Sequence, residues 1–160
     1  MKTGAFFCLS ALMLAPCEAG WADRVLAEHN AERAAVHVAP LAWSEPLAAD
    51  AAVWAKVLAG TGRFEHSPLK LRRGQGENLW KGTAGHYGTE DMVDGWVAEK
   101  RWYRDEPVET QAHDPVVGHY TQMIWSTTTR VGCAIASGRG WDVLVCRYSP
   151  PGNIIGERPF

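Results

Sequence analysis

GHYTQMIWSTTTRVGCA, residues 118–134, changes its pattern halfway, and the change decides what the chain folds into. Behind His119, the first half sets Tyr120, Met123 and Ile124 on an amphipathic stretch, which predicts a short helix from about Val117. The second half continues as RVGCAIA, a strand-like run. It meets a second such run, DVLVCRY, across Ser137, Gly138, Arg139 and Gly140, so the two read as a β-hairpin. Pro150, Pro151 and Gly152 end the second strand, because proline cannot donate to a ladder.

Upstream, TEDMVDGWVAEKRWY, residues 89–103, predicts a helix from about Thr89 to Tyr103. Met92, Trp96 and Tyr103 recur at helical spacing, and Glu99 falls on their stripe. A carboxylate on the inward face is costly without a cationic or hydrogen-bonding partner, so a partner is implied. Lys100 is rotated off the stripe and reads as solvated. Beyond the helix, DEPVETQAHDP is a loop.

Two further helices are expected before it. The first covers about Asp23 to Val38, with Val25, His29 and Val36 on one face. Ser44 caps the second, Glu45 and Pro46 occupy its first turn, Leu47, Ala51, Trp54 and Leu58 form its stripe, and Gly60 closes it. A strand follows Glu77. Lys70, Arg72 and Arg73 read as a solvated basic loop.

Three polar junctions stand out between these elements. RFEHS places His66 after the glycines that end the second helix, GENLW carries Glu77 and Asn78 beyond a glycine turn, and GHYTQMIW opens with His119. With Glu99 they read as one inward-facing pocket of two imidazoles and two carboxylates.

In order, LAEHNAER, RFEHS, GENLW, WVAEKRWY, GHYTQMIWSTTTRVGCA and VCRYSPPGN resemble motifs of the cysteine-rich secretory, antigen-five and pathogenesis-related superfamily, known as CAP. The similarity spans nearly all of residues 20–160. It implies an α+β fold: a three-layer α-β-α sandwich around a small antiparallel sheet. It also maps the family's tetrad of two histidines and two acids onto His66, Glu77, Glu99 and His119. The last residues, PPGNIIGERPF, resemble a peptide that plant members release, ending here in Phe160; a plain end to the last strand is the other reading.

Length and composition fit one domain. A chain of 160 residues that is 46% hydrophobic, with eight tryptophans, is not a disordered one. Sixteen basic and eighteen acidic residues leave a formal charge of −2, and the basic ones are mostly scattered, so nucleic-acid binding is not supported.

The N-terminus reads as a separate object. Lys2 precedes an apolar run from Ala5 to Ala15 that is too short to span a bilayer, and Cys17-Glu18-Ala19 ends in a small residue. Residues 1–19 are therefore expected to be a cleaved export signal, leaving residues 20–160 as one domain, secreted or periplasmic. Cys17 after Leu14-Ala15-Pro16 also admits a lipoprotein site, which Pro16 fits poorly. No later stretch is apolar and long enough to cross a membrane. Cleavage leaves Cys133 and Cys146, which can pair across the hairpin in an oxidising compartment or remain two buried thiols. The pairing departs from the three-disulfide framework of plant relatives, whose other partners fall near Gly62 and Val117.

Two neutral imidazoles, His66 and His119, suit Zn²⁺ or a similar divalent ion, with the carboxylates orienting them. No HExxH or Cys-x-x-Cys pattern adds a ligand, so a weak, open site is expected. Alternatively the tetrad is a hydrogen-bonded cluster that fixes its loops. His29 and Asn30 read as structural hydrogen-bonding residues. A Ser67-His66-glutamate hydrolase can be drawn, but adjacent side chains rarely meet and no GxSxG elbow is present. The resemblance implies a non-catalytic module that binds a lipid or sterol-like ligand, or an effector acting through protein contacts. Trp80, Trp102 and Trp141 are candidate groove residues.

Overall fold

The computed structural model describes residues 20–108 and 116–160. The expected export signal lies outside the described residues, as does the 109–115 part of the expected loop.

Helices α1 (Trp21–Ala35), α2 (Glu45–Thr61), α3 (Leu69–Arg72), α4 (Thr89–Val97) and α5 (Gly118–Met123) surround strands β1 (Ala42–Trp43), β2 (Gly76–Thr83), β3 (Arg130–Gly138) and β4 (Trp141–Ser149). The strands form one sheet in the order β1-β3-β4-β2. β3 and β4 are the expected hairpin, and its two central turn residues, Arg139 and Gly140, both have positive φ, 53° and 80°. β2 pairs antiparallel with β4, but β1 joins β3 in parallel. The sheet is thus antiparallel except for this two-residue edge.

Strand β4 explains the layering, because its residues alternate between two cores. Val143 and Val145 pack with Ala51, Trp54, Ala55 and Leu58 of α2 on one face. Leu144, Cys146 and Tyr148 pack with Val25 of α1, Val93 and Trp96 of α4 and Met123 of α5 on the other. β4 is therefore buried on both sides, and the expected α-β-α sandwich is present. Cys133 and Cys146 are partners in the β3–β4 register, with Cα atoms 4.1 Å apart, and form a disulfide. Gly132 lets α2 approach β3: a Cβ there would sit 2.4 Å from both Ser44 O and Ala48 N.

Helix boundaries shift from the expected ones for identifiable reasons. α2 is capped by the Ser44 hydroxyl, which accepts the Leu47 N–H, but ends at Gly62 rather than Gly60. Gly62 takes the left-handed conformation, φ 78°, that closes a helix end. α1 stops at Ala35, so Val36 is its C-cap, and the buried stripe is Val25, His29 and Arg33. α4 ends at Val97 and tightens into a 3₁₀ segment, Ala98–Trp102. The basic loop is partly helical, as α3.

Candidate functional site

The edge strand β2 connects the two halves of the site. Glu77 and Asn78 are successive residues, so their side chains leave opposite faces of the sheet. Glu77 lies across from Arg147 of β4. Its carboxylate accepts from His66 Nδ1 at 2.7 Å, the Ser67 N–H at 2.9 Å, the Ser67 hydroxyl at 2.8 Å and Arg147 Nη2 at 3.0 Å. Burial raises the Glu77 pKa, but the bonds from His66 and Ser67 and the charge of Arg147 outweigh it and hold the carboxyl below its ordinary value. Asn78, on the other face, donates to the His119 carbonyl at 3.0 Å and to the Tyr148 hydroxyl at 3.1 Å.

The second half is built on the 3₁₀ segment. Glu99 accepts His119 Nδ1 on Oε1 at 2.5 Å, and its Oε2 takes the backbone N–H groups of His119 and Tyr120 at 3.0 and 3.1 Å. It therefore orients the imidazole and also satisfies donors at the start of α5. The His119 ring stacks on Trp96, centroids 5.9 Å apart and 12° from parallel, and Trp96 is itself tied to Leu79 O through Nε1. The inward placement expected for Glu99 holds: its side chain is 13% exposed. Lys100 is half-exposed as expected and pairs with Glu32.

His66, Glu77 and His119 line one cleft of about 890 Å³, and Glu99 supports His119 from behind. Both histidines use Nδ1 on a carboxylate, and neither Nε2 has a hydrogen-bond partner among the described residues. Among the described residues no group of three or more His, Cys, Asp or Glu is placed to hold a metal. Among the described residues, then, at most two side chains of these types could share an ion here. Of the three candidate groove tryptophans only Trp102 lines the cleft. Trp80 packs on the core and on Tyr87, and Trp141 lies under Lys81.

Ser67 does not meet an imidazole. Its hydroxyl donates to Glu77 and accepts from Arg147 Nη2 at 2.9 Å. A nucleophilic serine needs a base on its Oγ, and this one has a carboxylate and a guanidinium instead.

Four residues outside the tetrad hold the site in place. His29 is fully buried: Nδ1 donates to Val25 O, and Nε2 accepts from the Tyr148 hydroxyl, which also takes Asn78. Burial pushes the His29 pKa down to about 4, so it is neutral, as this bonding requires. Arg33, from the same helix, donates to the carbonyls of Ala39, Met123, Trp125 and Thr128 and anchors the chain after α5. Asn30 exchanges two bonds with the backbone of Leu41. The sequence motifs do not single out Arg147, the buried partner of Glu77. It was detectable, because it continues the inward alternation of Val143 and Val145, where an arginine demands a buried partner.

The family described as CAP, the cysteine-rich secretory protein family, matches residues 26–148. A pathogenesis-related protein of PR-1 type from Sambucus nigra is 41% identical, over 82% of this chain and 77% of that protein. Pathogenesis-related protein 1A from Nicotiana tabacum is 42% identical, over 82% of this chain and 76% of that protein. In fold, the crystal structure of NaASP2 with Zn²⁺ superposes with a TM-score of 0.76 at 24% identity, over 86% of this chain and 83% of that one. Venom allergen-like protein 4 of Schistosoma mansoni gives 0.68 at 19% identity, over 89% and 94%. The order of motifs, the sandwich built on β4 and the two histidine–carboxylate pairs are one result: this chain belongs to the CAP family of cysteine-rich secretory proteins.

Proposed function

We propose that the protein is an exported, non-catalytic CAP protein whose pocket binds a divalent cation weakly through His66 and His119. The observation that carries this reading is the matched use of the two rings. Each Nδ1–H is committed to a carboxylate, Glu77 or Glu99, which leaves the Nε2 lone pair as the available donor on a shared cleft. Neutral imidazole nitrogen suits Zn²⁺, and two protein ligands with water completing the shell make an open, weak site. The NaASP2 structure with Zn²⁺ shares this fold and supports the choice of metal. Export is supported by the Cys133–Cys146 disulfide, a bond that persists in oxidising compartments. Among the described residues no helix is long and apolar enough to cross a membrane.

The outer cleft favours a second occupant, a lipid or sterol-like molecule. Leu69, Trp102, Pro107, Val108, Val116 and Pro151 line it beyond the histidines, and Leu69, Trp102 and Val116 are exposed. The lining is mixed, with Glu77, Asn78, Gln122 and Asn153 beside these apolar residues, and a concave site of that kind suits a small amphipathic ligand. Ser67, engaged by Glu77 and Arg147, argues against the hydrolase alternative. An effector role through protein contacts is compatible with either ligand.

Calorimetric titration with Zn²⁺ tests the metal reading. The wild type gives a weak binding isotherm, and His66→Ala with His119→Ala removes it while leaving the far-UV spectrum unchanged. Equal zinc binding by wild type and double variant would place the site elsewhere. Titration with a fluorescent sterol, read through Trp102 and compared with Trp102→Ala, tests the second occupant separately.

A further inference from the structure

The loop that delivers His66 carries a surface that extends beyond the cleft. Residues 63–73, RFEHSPLKLRR, hold four cations and one carboxylate, in a chain whose net charge is −2. That carboxylate, Glu65, is already paired with Arg63 at 2.9 Å. Phe64, Leu69 and Leu71 are 53%, 76% and 53% exposed, and α3 buries none of its residues. The apolar surface continues onto α2, where Val53, 63% exposed, meets Leu71 and Arg73 around a shallow depression. Asp50, at the same depression, is held by Gln75 Nε2 at 2.7 Å.

A single exposed leucine needs no explanation, but three large apolar side chains interleaved with cations, with Val53 beside them, do. We propose that this face docks onto an anionic lipid bilayer. Phe64, Leu69, Leu71 and Val53 enter the headgroup region, and Lys70, Arg72 and Arg73 meet lipid phosphates and carboxylates. Charge decides the occupant. A second copy of the chain would set cations against cations, and a neutral apolar partner would leave Lys70 and Arg73 unmatched. His66, Leu69 and Arg72 also line the cleft, so docking brings the mouth of the cleft to the bilayer. Phe64, Lys70, Leu71 and Arg73 lie outside the cleft lining, so docking through them does not depend on what occupies the cleft.

Co-sedimentation of the intact protein with vesicles, in EDTA to remove metal, tests it. The protein binds phosphatidylcholine vesicles only when phosphatidylserine is added, and binding weakens as salt is raised. Phe64→Ser with Leu71→Ser, and separately Lys70→Glu with Arg73→Glu, each lower partitioning about tenfold or more, with unchanged circular dichroism. Arg130→Glu, a charge reversal at the start of β3, changes it less than about twofold. Four results would overturn the proposal: no binding to anionic vesicles, equal binding to neutral ones, equal loss with Arg130→Glu, or self-association that the same variants abolish.

Discussion

Glu99 grips His119 at two points, the imidazole Nδ1 on one carboxylate oxygen at 2.5 Å and the backbone N–H on the other at 3.0 Å. Ring orientation is thereby coupled to the start of α5. Glu99→Gln replaces the charge-assisted bond with a neutral one and frees the ring to turn. Zinc affinity by calorimetry is expected to fall roughly 10–100-fold, the usual effect of losing such a partner, with helical content intact. Unchanged affinity would reduce Glu99 to a helix cap.

Glu77 and Arg147 form the buried ion pair of the other half, with side chains 0% and 2% exposed. Removing one member leaves the other charged and unpaired. Glu77→Ala is expected to cost about 3–5 kcal/mol in urea unfolding, and Arg147→Met on top of it restores part of the loss. A cost below about 1 kcal/mol for the single variant would show that water replaces the pair.

His29 makes stability depend on acid. Its folded pKa, about 4, lies below the ordinary 6.5 because burial penalises the imidazolium. The neutral ring therefore contributes stability that is complete above pH 6.5 and is lost as pH falls through about 4. The loss over that window is on the order of 3 kcal/mol. His29→Gln flattens this dependence while lowering stability at pH 7. A variant with the wild-type slope would assign the acid sensitivity to other groups.

Glu28 works in the opposite direction. Burial, then the charges of Asp94, Glu90 and Asp91 on α4, push its pKa up to about 7, and its Oε2 is a buried oxygen without a hydrogen-bond partner. With the folded pKa raised, the favourable protonated state is kept at low pH and is lost as pH rises from about 4.5 through 7. Glu28→Gln, permanently neutral, should raise the melting temperature at pH 8 and leave it nearly unchanged at pH 4. A lower melting temperature at pH 8 would mean that the charged carboxylate makes a net stabilising contact, and would overturn this reading of Glu28.

Much of this molecule is written locally. Ser44, the stripe Leu47-Ala51-Trp54-Leu58 and a closing glycine define α2 within one to two residues, because caps and burial periodicity act over a single turn. RVGCAIA and DVLVCRY, around their turn, define the hairpin and so allow Cys133 to face Cys146, since a short connection leaves little choice of register; that the two are bonded rather than free thiols is read from the structure. The motifs also single out His66, Glu77, Glu99 and His119, all four of which the structure places in histidine–carboxylate pairs around one cleft.

What the tertiary structure alone decided is how distant residues share protons and charge. His29 reaches Tyr148 across 119 positions and Asn78 meets the same hydroxyl across 70, so no local pattern could pair them. β1 is two residues long, too short to show any periodicity, and it exists only because β3 offers an open edge. Glu77 opposes Arg147 through the β2–β4 register, and that register is set by apolar residues elsewhere in the strands. Local sequence encodes which face each side chain occupies, whereas partnership between buried polar groups follows from strand order and helix placement, which only the packed chain determines.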